Sequence, residues 1–513
     1  MMRNKLLQYS LLIIIVLLGL FLRIYNLDRV PTGFFCDEAS IGYNAYTILT
    51  KGADEYGTHL PLFFRAFGEY KNPIEIYSTV PFIALGGLNE WSTRITEVIY
   101  GIIGIIAIFF LGKQVLQTKH AFVIGLASAF TLAISPWHIQ FSRVALEGLM
   151  PYVLFTILGT YFFLKKDKNI LYAFASCITF LLALYSYFPA RIFIPLFVAI
   201  LFLIDCRYFW KNKYIFFFMA TVFIIGNIPL VSTYMGTAGL ARFQQVSIFS
   251  NPPRNETVVK HIIDNYISNL SPNFLFFKGD IGMPGQFITR HSIRSMGEFY
   301  LWQLPFILFG FVFLIYKKYW RVLFILITWV LLYPMGSMLT TDQSAQATRG
   351  IIGVVPWEIL AAIGLVYSFV YIRKKAPQII FGICCIFVIL FSLFQYTQQY
   401  FIVYPTYSAD FWGWQYGPKQ IIQYFVANEN KYDDLYMAGE FNAPEIFLKF
   451  YAPRNCQKCH IGIPDQNYIP KRKQLFAVTP TYLAAHPSYQ FKLKKTIYYP
   501  NRSIAFEIGE IVQ

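Results

Sequence analysis

Long apolar runs recur along this chain with only short interruptions, and no other feature limits its fold as severely. They cover approximately residues 10–22, 95–112, 121–136, 144–164, 170–187, 189–205, 214–234, 299–316, 321–339, 350–372 and 378–398. A helix needs roughly 20 mainly apolar residues to cross the hydrocarbon core of a bilayer. Runs of this kind therefore predict a polytopic, all-α membrane protein with about eleven transmembrane helices. The charge deficit agrees with this, because only 14% of the 513 residues are charged, against about a quarter in soluble proteins.

The loops between the runs alternate in chemistry. Residues 113–119, 165–168, 207–213, 317–321 and 373–375 form short basic loops, whereas the intervening loops carry most of the acids, His and Trp. The positive-inside rule puts the basic set in the cytoplasm. The N-terminus is then cytoplasmic and the C-terminus extracytoplasmic, in a multi-pass protein of the plasma membrane. Arg3 and Lys5 before the first run would also suit a signal peptide, but no small-residue cleavage site follows, so this run is read as a helix. The net charge of +16 (43 Lys+Arg against 27 Asp+Glu) belongs to this membrane orientation. No basic helix, glycine-rich phosphate loop or zinc-finger spacing points to nucleic acid.

The expected division is a transmembrane domain over 1–398, with large outside loops at 25–93 and 236–298, and an extracytoplasmic domain over 399–513. Apolar stretches at 420–426 and 445–451 give that last domain a small α/β character. Five of the seven cysteines lie in or near apolar segments and suit burial. The remaining Cys456-Gln-Lys-Cys459-His460 admits haem attachment, a redox pair or, in an oxidising compartment, a disulfide.

The spans are almost free of charge at their centres, whereas a transporter usually places ionisable groups near mid-membrane. The ionisable groups gather instead at the outside ends: Asp37, Glu38, Lys71, Arg94, Arg143, Glu147 and Arg349. Cations there run against the positive-inside bias, and a phosphate ligand is one physical reason to keep them. Each has a plainer reading. Asp37 suits the N-cap of the helix predicted by Ile41, Ala45, Ile48 and Leu49, an amphipathic helix on the bilayer surface. Arg143 and Glu147, four apart, suit an ion pair on one helix face. Lys71 and Arg94 suit snorkelling to the interface. Arg349 suits helix-end anchoring, and His291 suits simple solvent exposure.

The ordered set of motifs is more specific than any one of them. Pro31-x-Gly-Phe-x-x-Asp37-Glu38-Ala-x-x-Gly-Tyr is followed by Phe67-Gly-Glu-Tyr-Lys71-Asn-Pro73, then by Arg94 in Trp-Ser-Thr-Arg. Further on come Ser135-Pro-Trp-His-Ile-Gln-Phe-Ser-Arg143-Val-Ala-Leu-Glu147, Gly279-Asp280, Arg290-His291-Ser292 and Ala347-Thr-Arg349. Over roughly residues 10–400 this set resembles the membrane-embedded GT-C glycosyltransferases. The nearest group is the protein O-mannosyltransferase-like one (glycosyltransferase family 39), with the lipid A aminoarabinose transferases as cousins.

The resemblance implies inverting transfer of a sugar, mannose-like or another hexose or pentose, from a polyprenyl-phosphate donor to an acceptor hydroxyl outside the membrane. It makes Asp37 the catalytic base with Glu38 beside it, and Lys71 a phosphate ligand, although Tyr70 and Asn72 depart from the cousins' Glu-Lys-Pro order. Arg94, Arg143 and Arg349 complete the phosphate set. Asp54, Glu55, Glu69, Glu147, Asp280 and His291 support the loop or contact sugar. No cofactor is expected and no essential metal, with a divalent ion near Glu69 and His291 as the only candidate. Expected partners are the lipid-linked sugar, membrane lipid and a glycolipid, glycan or protein acceptor. The loop 236–298 is too short for the β-rich insertion of eukaryotic protein mannosyltransferases, which favours a prokaryotic enzyme. Two other classes compete: a flippase or transporter for the lipid-linked sugar, and a membrane receptor for glycans. The sugar, the acceptor and the role of the C-terminal domain are not legible in the residues.

Overall fold

The computed structural model describes residues 2–512 except 235–242, 254–256, 342–343 and 455. Parts of the expected loop 236–298 and of the stretch before Arg349 thus lie outside the described residues. Helices Met2–Ile24, Glu90–Val115, Ala121–Ile134, Leu149–Phe163, Ile170–Leu184, Ala190–Ile204, Lys213–Tyr234, Gln303–Tyr316, Trp320–Leu332, Val354–Tyr371 and Lys375–Gln398 fall on the apolar runs. Among the described residues, five helical segments are long and apolar enough to cross a membrane, and six apolar helices are shorter.

Ile351–Tyr371 is largely enclosed by its neighbours, while Lys375–Tyr407 is almost wholly exposed although strongly apolar. A helix apolar all round and facing outward needs a lipid solvent, and the architecture is that of a multi-pass membrane protein. Small residues set the closest crossing. A Cβ on Gly364 would strike the Phe306 carbonyl, and one on Gly310 would strike that of Leu360, so these glycines let the two helices approach backbone to backbone.

The loop 25–93 is built rather than loose. Its helix Cys36–Lys51 was expected to lie on the bilayer, but it packs against Pro73–Gly86, Glu90–Val115 and Glu445–Tyr451 of the C-terminal domain. Gly42 permits this, since a Cβ there would meet Phe450 at 2.6 Å. Strands β1 (Phe64–Ala66) and β2 (Glu69–Lys71) form a hairpin. Its two central residues, Phe67 and Gly68, have φ of 53° and 80°, the positive values that a two-residue type I′ turn requires. Side chains two apart on a strand share a face, so Glu69 and Lys71 are both turned inward and buried.

The C-terminal domain has a five-stranded mixed sheet. Strands β3 (Asp434–Met437), β4 (Cys459–Ile461), β5 (Gln474–Val478), β6 (Gln490–Tyr498) and β7 (Ile504–Val512) lie in the order β4-β3-β5-β7-β6. The β3–β4 and β3–β5 pairs are parallel, while β7 runs antiparallel to β5 and β6. Cys456 and Cys459 are joined as a disulfide at the edge of this sheet, so they hold each other. The domain is tied to the loop 25–93 by Lys449 on Glu55 at 2.7 Å and by Lys419 and Tyr451 on Glu90, both at 2.6 Å.

Candidate active site

Asp37 and Glu38 are neighbours on the first turn of Cys36–Lys51, and consecutive helical residues point about 100° apart. Their surroundings differ accordingly. The N-cap is Phe35 rather than Asp37; Glu38 does the capping, its Oε2 accepting from the Phe35 N–H at 3.1 Å. The Glu38 carboxylate also accepts from Arg94 Nε at 2.8 Å and Nη2 at 2.9 Å, and from the Ala145 N–H at 3.1 Å. Arg94 gives its other donors to the carbonyls of Leu27, Pro31 and Gly33, and both partners are fully enclosed. A forked guanidinium–carboxylate pair of this kind fixes geometry. Glu38 and Arg94 therefore hold the loop in shape, with neither side chain exposed.

Arg143 also differs from expectation. The predicted span 144–164 begins only at Leu149; residues 143–148 form an irregular turn. Glu147 and Gly148 there have φ of 57° and 79°, and a Cβ on Gly148 would meet the Ser186 carbonyl at 2.5 Å. Arg143 and Glu147 consequently share no helix face. Arg143 is buried, donates to the carbonyls of Leu22, Tyr25 and Val30, and lies over the rings of Tyr400 and Phe401. It braces the same loop as Arg94.

Asp37 faces the other way. A cavity of about 130 Å³ is lined by Asp37, Glu147, Tyr187, Arg290, His291 and Arg349, among others. Glu147, Tyr187 and Arg349 also line an adjoining cavity of about 190 Å³, whose walls include Phe188, Ile192, Phe243, Val246 and Leu339. A charged pocket thus opens beside an apolar one. The Asp37 carboxylate keeps 18% side-chain exposure and accepts from Lys71 Nζ at 2.6 Å. Burial works to lower the pKa of Lys71, but the negative charges of Asp37, Glu147 and Glu69 outweigh it and raise the value. Lys71 is therefore a fixed cation, aimed at Asp37 from behind the cavity wall.

Arg290 supplies a cation that was not singled out from the sequence. Its guanidinium lies 3.9 Å from the centre of the Phe35 ring and donates to the Trp412 carbonyl at 2.8 Å. Burial lowers its pKa, with Asp37 opposing. Its signal in the sequence was its place in the Arg290-His291-Ser292 motif, where Arg290 was given no role. Arg349 donates to Thr340 Oγ1. His291 is buried rather than solvent-exposed, with Nδ1 3.3 Å from Asp280. Burial lowers the imidazole pKa against the pull of Asp280. Asp280 in turn accepts from Ser292 Oγ at 2.7 Å and from the Ala347 N–H at 3.1 Å, so it positions both His291 and the segment leading to Arg349.

Asp54 and Glu55 shape the loop away from the cavity. Asp54 Oδ1 caps the turn at Tyr56 and Thr58, while Glu55 joins Asn44 to Lys449. Among the described residues, no three His, Cys, Asp or Glu side chains are grouped as a metal ion would need.

Sequence and fold comparisons bear on this geometry. Residues 72–232 match the family model described as dolichyl-phosphate-mannose-protein mannosyltransferase. The chain resembles the GT-C glycosyltransferases of this type. ArnT from Cupriavidus metallidurans bound to undecaprenyl phosphate superposes with a TM-score of 0.55 at 12% identity, over 99% of this chain and 98% of that one. Archaeal oligosaccharyltransferase AglB from Archaeoglobus fulgidus, in complex with an inhibitory peptide and a dolichol-phosphate, gives 0.52 at 12% identity, over 90% and 65%. At such identities the likeness is one of fold. No curated protein sequence matches the chain.

Proposed function

We propose that this protein is a glycosyltransferase that takes a sugar from a polyprenyl-phosphate donor and passes it, with inversion, to an acceptor hydroxyl. The observation that carries the reading is the meeting of Asp37 with Arg290 and Arg349 in one charged cavity that opens onto an apolar one. The neighbours bound to undecaprenyl phosphate and dolichol-phosphate support a lipid phosphate as the ligand.

The roles follow from charge. Asp37 accepts the acceptor's proton as its oxygen attacks the anomeric carbon, which requires a base within hydrogen-bond reach. The bond from that carbon to the phosphate oxygen breaks, and the phosphate leaves with the electron pair. Such a leaving group needs cations rather than a strong acid, and Arg290 and Arg349 stand where they can supply them. Lys71 pairs with Asp37 and orients it; it acts on the base rather than on the phosphate. The apolar cavity beside Arg349 suits the first isoprene units. Glu147 and His291 border the space left for sugar. The arrangement is proposed to face the outside of the plasma membrane in a protein of about eleven spans, with the acceptor and the sugar unassigned.

The test is mass spectrometry of envelope glycans from cells lacking the gene, complemented with wild type or Asp37→Ala. A sugar that returns with wild type alone is expected. Its return with Asp37→Ala at equal membrane levels would sink the assignment. The flippase reading separates in sealed vesicles, where it requires substrate to cross without forming a covalent product.

A further inference from the structure

Three of the basic loops, 113–119, 165–168 and 317–321, come together at one place in the fold. Between them lies a cavity of about 300 Å³, lined by Gln114, Gln117, Leu164, Tyr319, Arg321 and Val322, among others. It is across the helix bundle from Asp37. Helix Leu149–Phe163 starts at the Asp37 cavity and ends at Leu164, roughly 20 Å away at about 1.5 Å per residue. Helix Ala190–Ile204 likewise starts beside Arg191 and ends at Asp205. We propose that this cavity is a second phosphate site, which holds the headgroup of an anionic phospholipid.

Arg321 is the first reason. Its side chain is 48% exposed, so a ligand can reach it. Nε and Nη2 donate to the two oxygens of Asp205 at 2.8 and 2.7 Å, which fixes the plane of the guanidinium. Among the described residues Nη1 donates to no acceptor, and it remains for a ligand. Asp205 does not cancel the charge, because it also accepts from Lys166 Nζ at 2.6 Å. Together the three loops hold eight lysines and arginines, against Asp167 within them and Asp205 beside them. A cleft walled by charge of one sign concentrates the opposite ion. The positive-inside rule accounts for cations in these loops, but not for a cavity enclosed between them.

The rest of the lining selects the class of ligand. Among the described residues, no acid lines the cavity. Gln117 is exposed, and Gln114 and Tyr319 are half-buried, so their amides and hydroxyl add donors that suit phosphate oxygens. Val115, Leu116, Leu164 and Ile325 make the other walls apolar. Next to Arg321, the rings of Trp320 and Phe324 are exposed and stacked with centroids 6.3 Å apart. A free anion would use the cations alone. Cations beside apolar walls and outward rings suit an anion that carries acyl chains. The site does not require Asp37 to be a base, so it stands or falls apart from the transferase reading.

The test titrates full-length protein in detergent with phosphatidylglycerol, phosphatidylcholine and inorganic phosphate, and counts bound lipid by native mass spectrometry. Phosphatidylglycerol is expected to bind at least tenfold more tightly than phosphatidylcholine. Arg321→Gln, which leaves Asp205 paired with Lys166, should weaken that binding at least tenfold. Gln117→Glu, an exposed change that sets a negative charge at the rim, should weaken it at least threefold with Tm unchanged. Arg349→Gln, at the Asp37 cavity, should bind phosphatidylglycerol as wild type does. The proposal is overturned if the two phospholipids bind alike, or if Arg321→Gln and Gln117→Glu both bind like wild type. It is equally overturned if Arg349→Gln alone loses the lipid. Displacement of the lipid by inorganic phosphate would assign the cavity to the free anion and overturn the lipid reading.

Discussion

Asp37 and Glu38 are adjacent in sequence and alike in chemistry, yet the structure gives them opposite settings. Glu38 has no exposure and receives four hydrogen bonds, two of them from Arg94. Asp37 keeps 18% exposure at a cavity with Lys71 as its nearest cation. Saturated and sealed, the first carboxylate cannot meet a substrate. The second can, because its carboxylate is part-exposed and lines the cavity, with a cation behind it. The cations divide by position: Arg94 and Arg143 are enclosed by Glu38 and by backbone carbonyls, whereas Arg290, although it also donates to the Trp412 carbonyl, and Arg349 border the cavity. These charges therefore differ in whether they are sealed or border a cavity, not in residue type.

That contrast can be broken by substitution. Asp37→Asn should cost transfer about 10²–10⁴-fold, the usual worth of a positioned base, while the solubilised protein still folds with a lowered Tm, since Glu147 and Glu69 still face the buried Lys71 charge. Arg94→Met should fail in the opposite way. Stranding the Glu38 charge costs about 3–5 kcal/mol, so the folded yield should collapse; a stable, fully folded Arg94→Met protein would show that the pair is dispensable to the fold. Arg349→Gln comes next. Losing a hydrogen bond to a charged group costs about 1.5–3 kcal/mol, which should appear as a fall in kcat/KM for the donor with Tm preserved.

His291 sharpens the comparison through pH. Its folded pKa is lowered by burial, with Asp280 pulling upward and Arg290 and Arg349 adding to the fall. The neutral ring's contribution to stability is therefore complete above its ordinary value of about 6.5 and is lost as pH falls through the lowered folded value. His291→Gln should flatten this acid-side decline in Tm; an unchanged slope would assign the decline to other groups. The smallest effect belongs to Lys449→Ala. Its pair with Glu55 is partly exposed on the lysine side, at 39%, and such pairs are worth about 1 kcal/mol or less. A shift in domain docking larger than that would be read from protease sensitivity between residues 25–93 and 399–513.

Much of this was legible before the fold. The apolar runs placed the helices, with some ends off by one or two turns, and the Asp37, Lys71 and His291 segments do meet or border one site. What could not be read was direction. Glu38 and Arg94 resemble Asp37 and Arg349 as residue types, and only the turn of the helix and the length of the loop decide which of them is sealed. The break at Glu147-Gly148 was hidden because its neighbours are apolar enough to continue a span. Arg290 stood in the Arg290-His291-Ser292 motif but was given no role, since a loop arginine does not show from sequence which cavity it borders.

The most direct test of Asp37 as the base is to measure donor binding and transfer in one preparation of Asp37→Asn, with polyprenyl-phosphate sugars extracted from the host membranes as donor. Donor affinity within a few-fold of wild type, together with loss of transfer, is the expected result. Turnover close to wild type in that preparation would contradict the assignment.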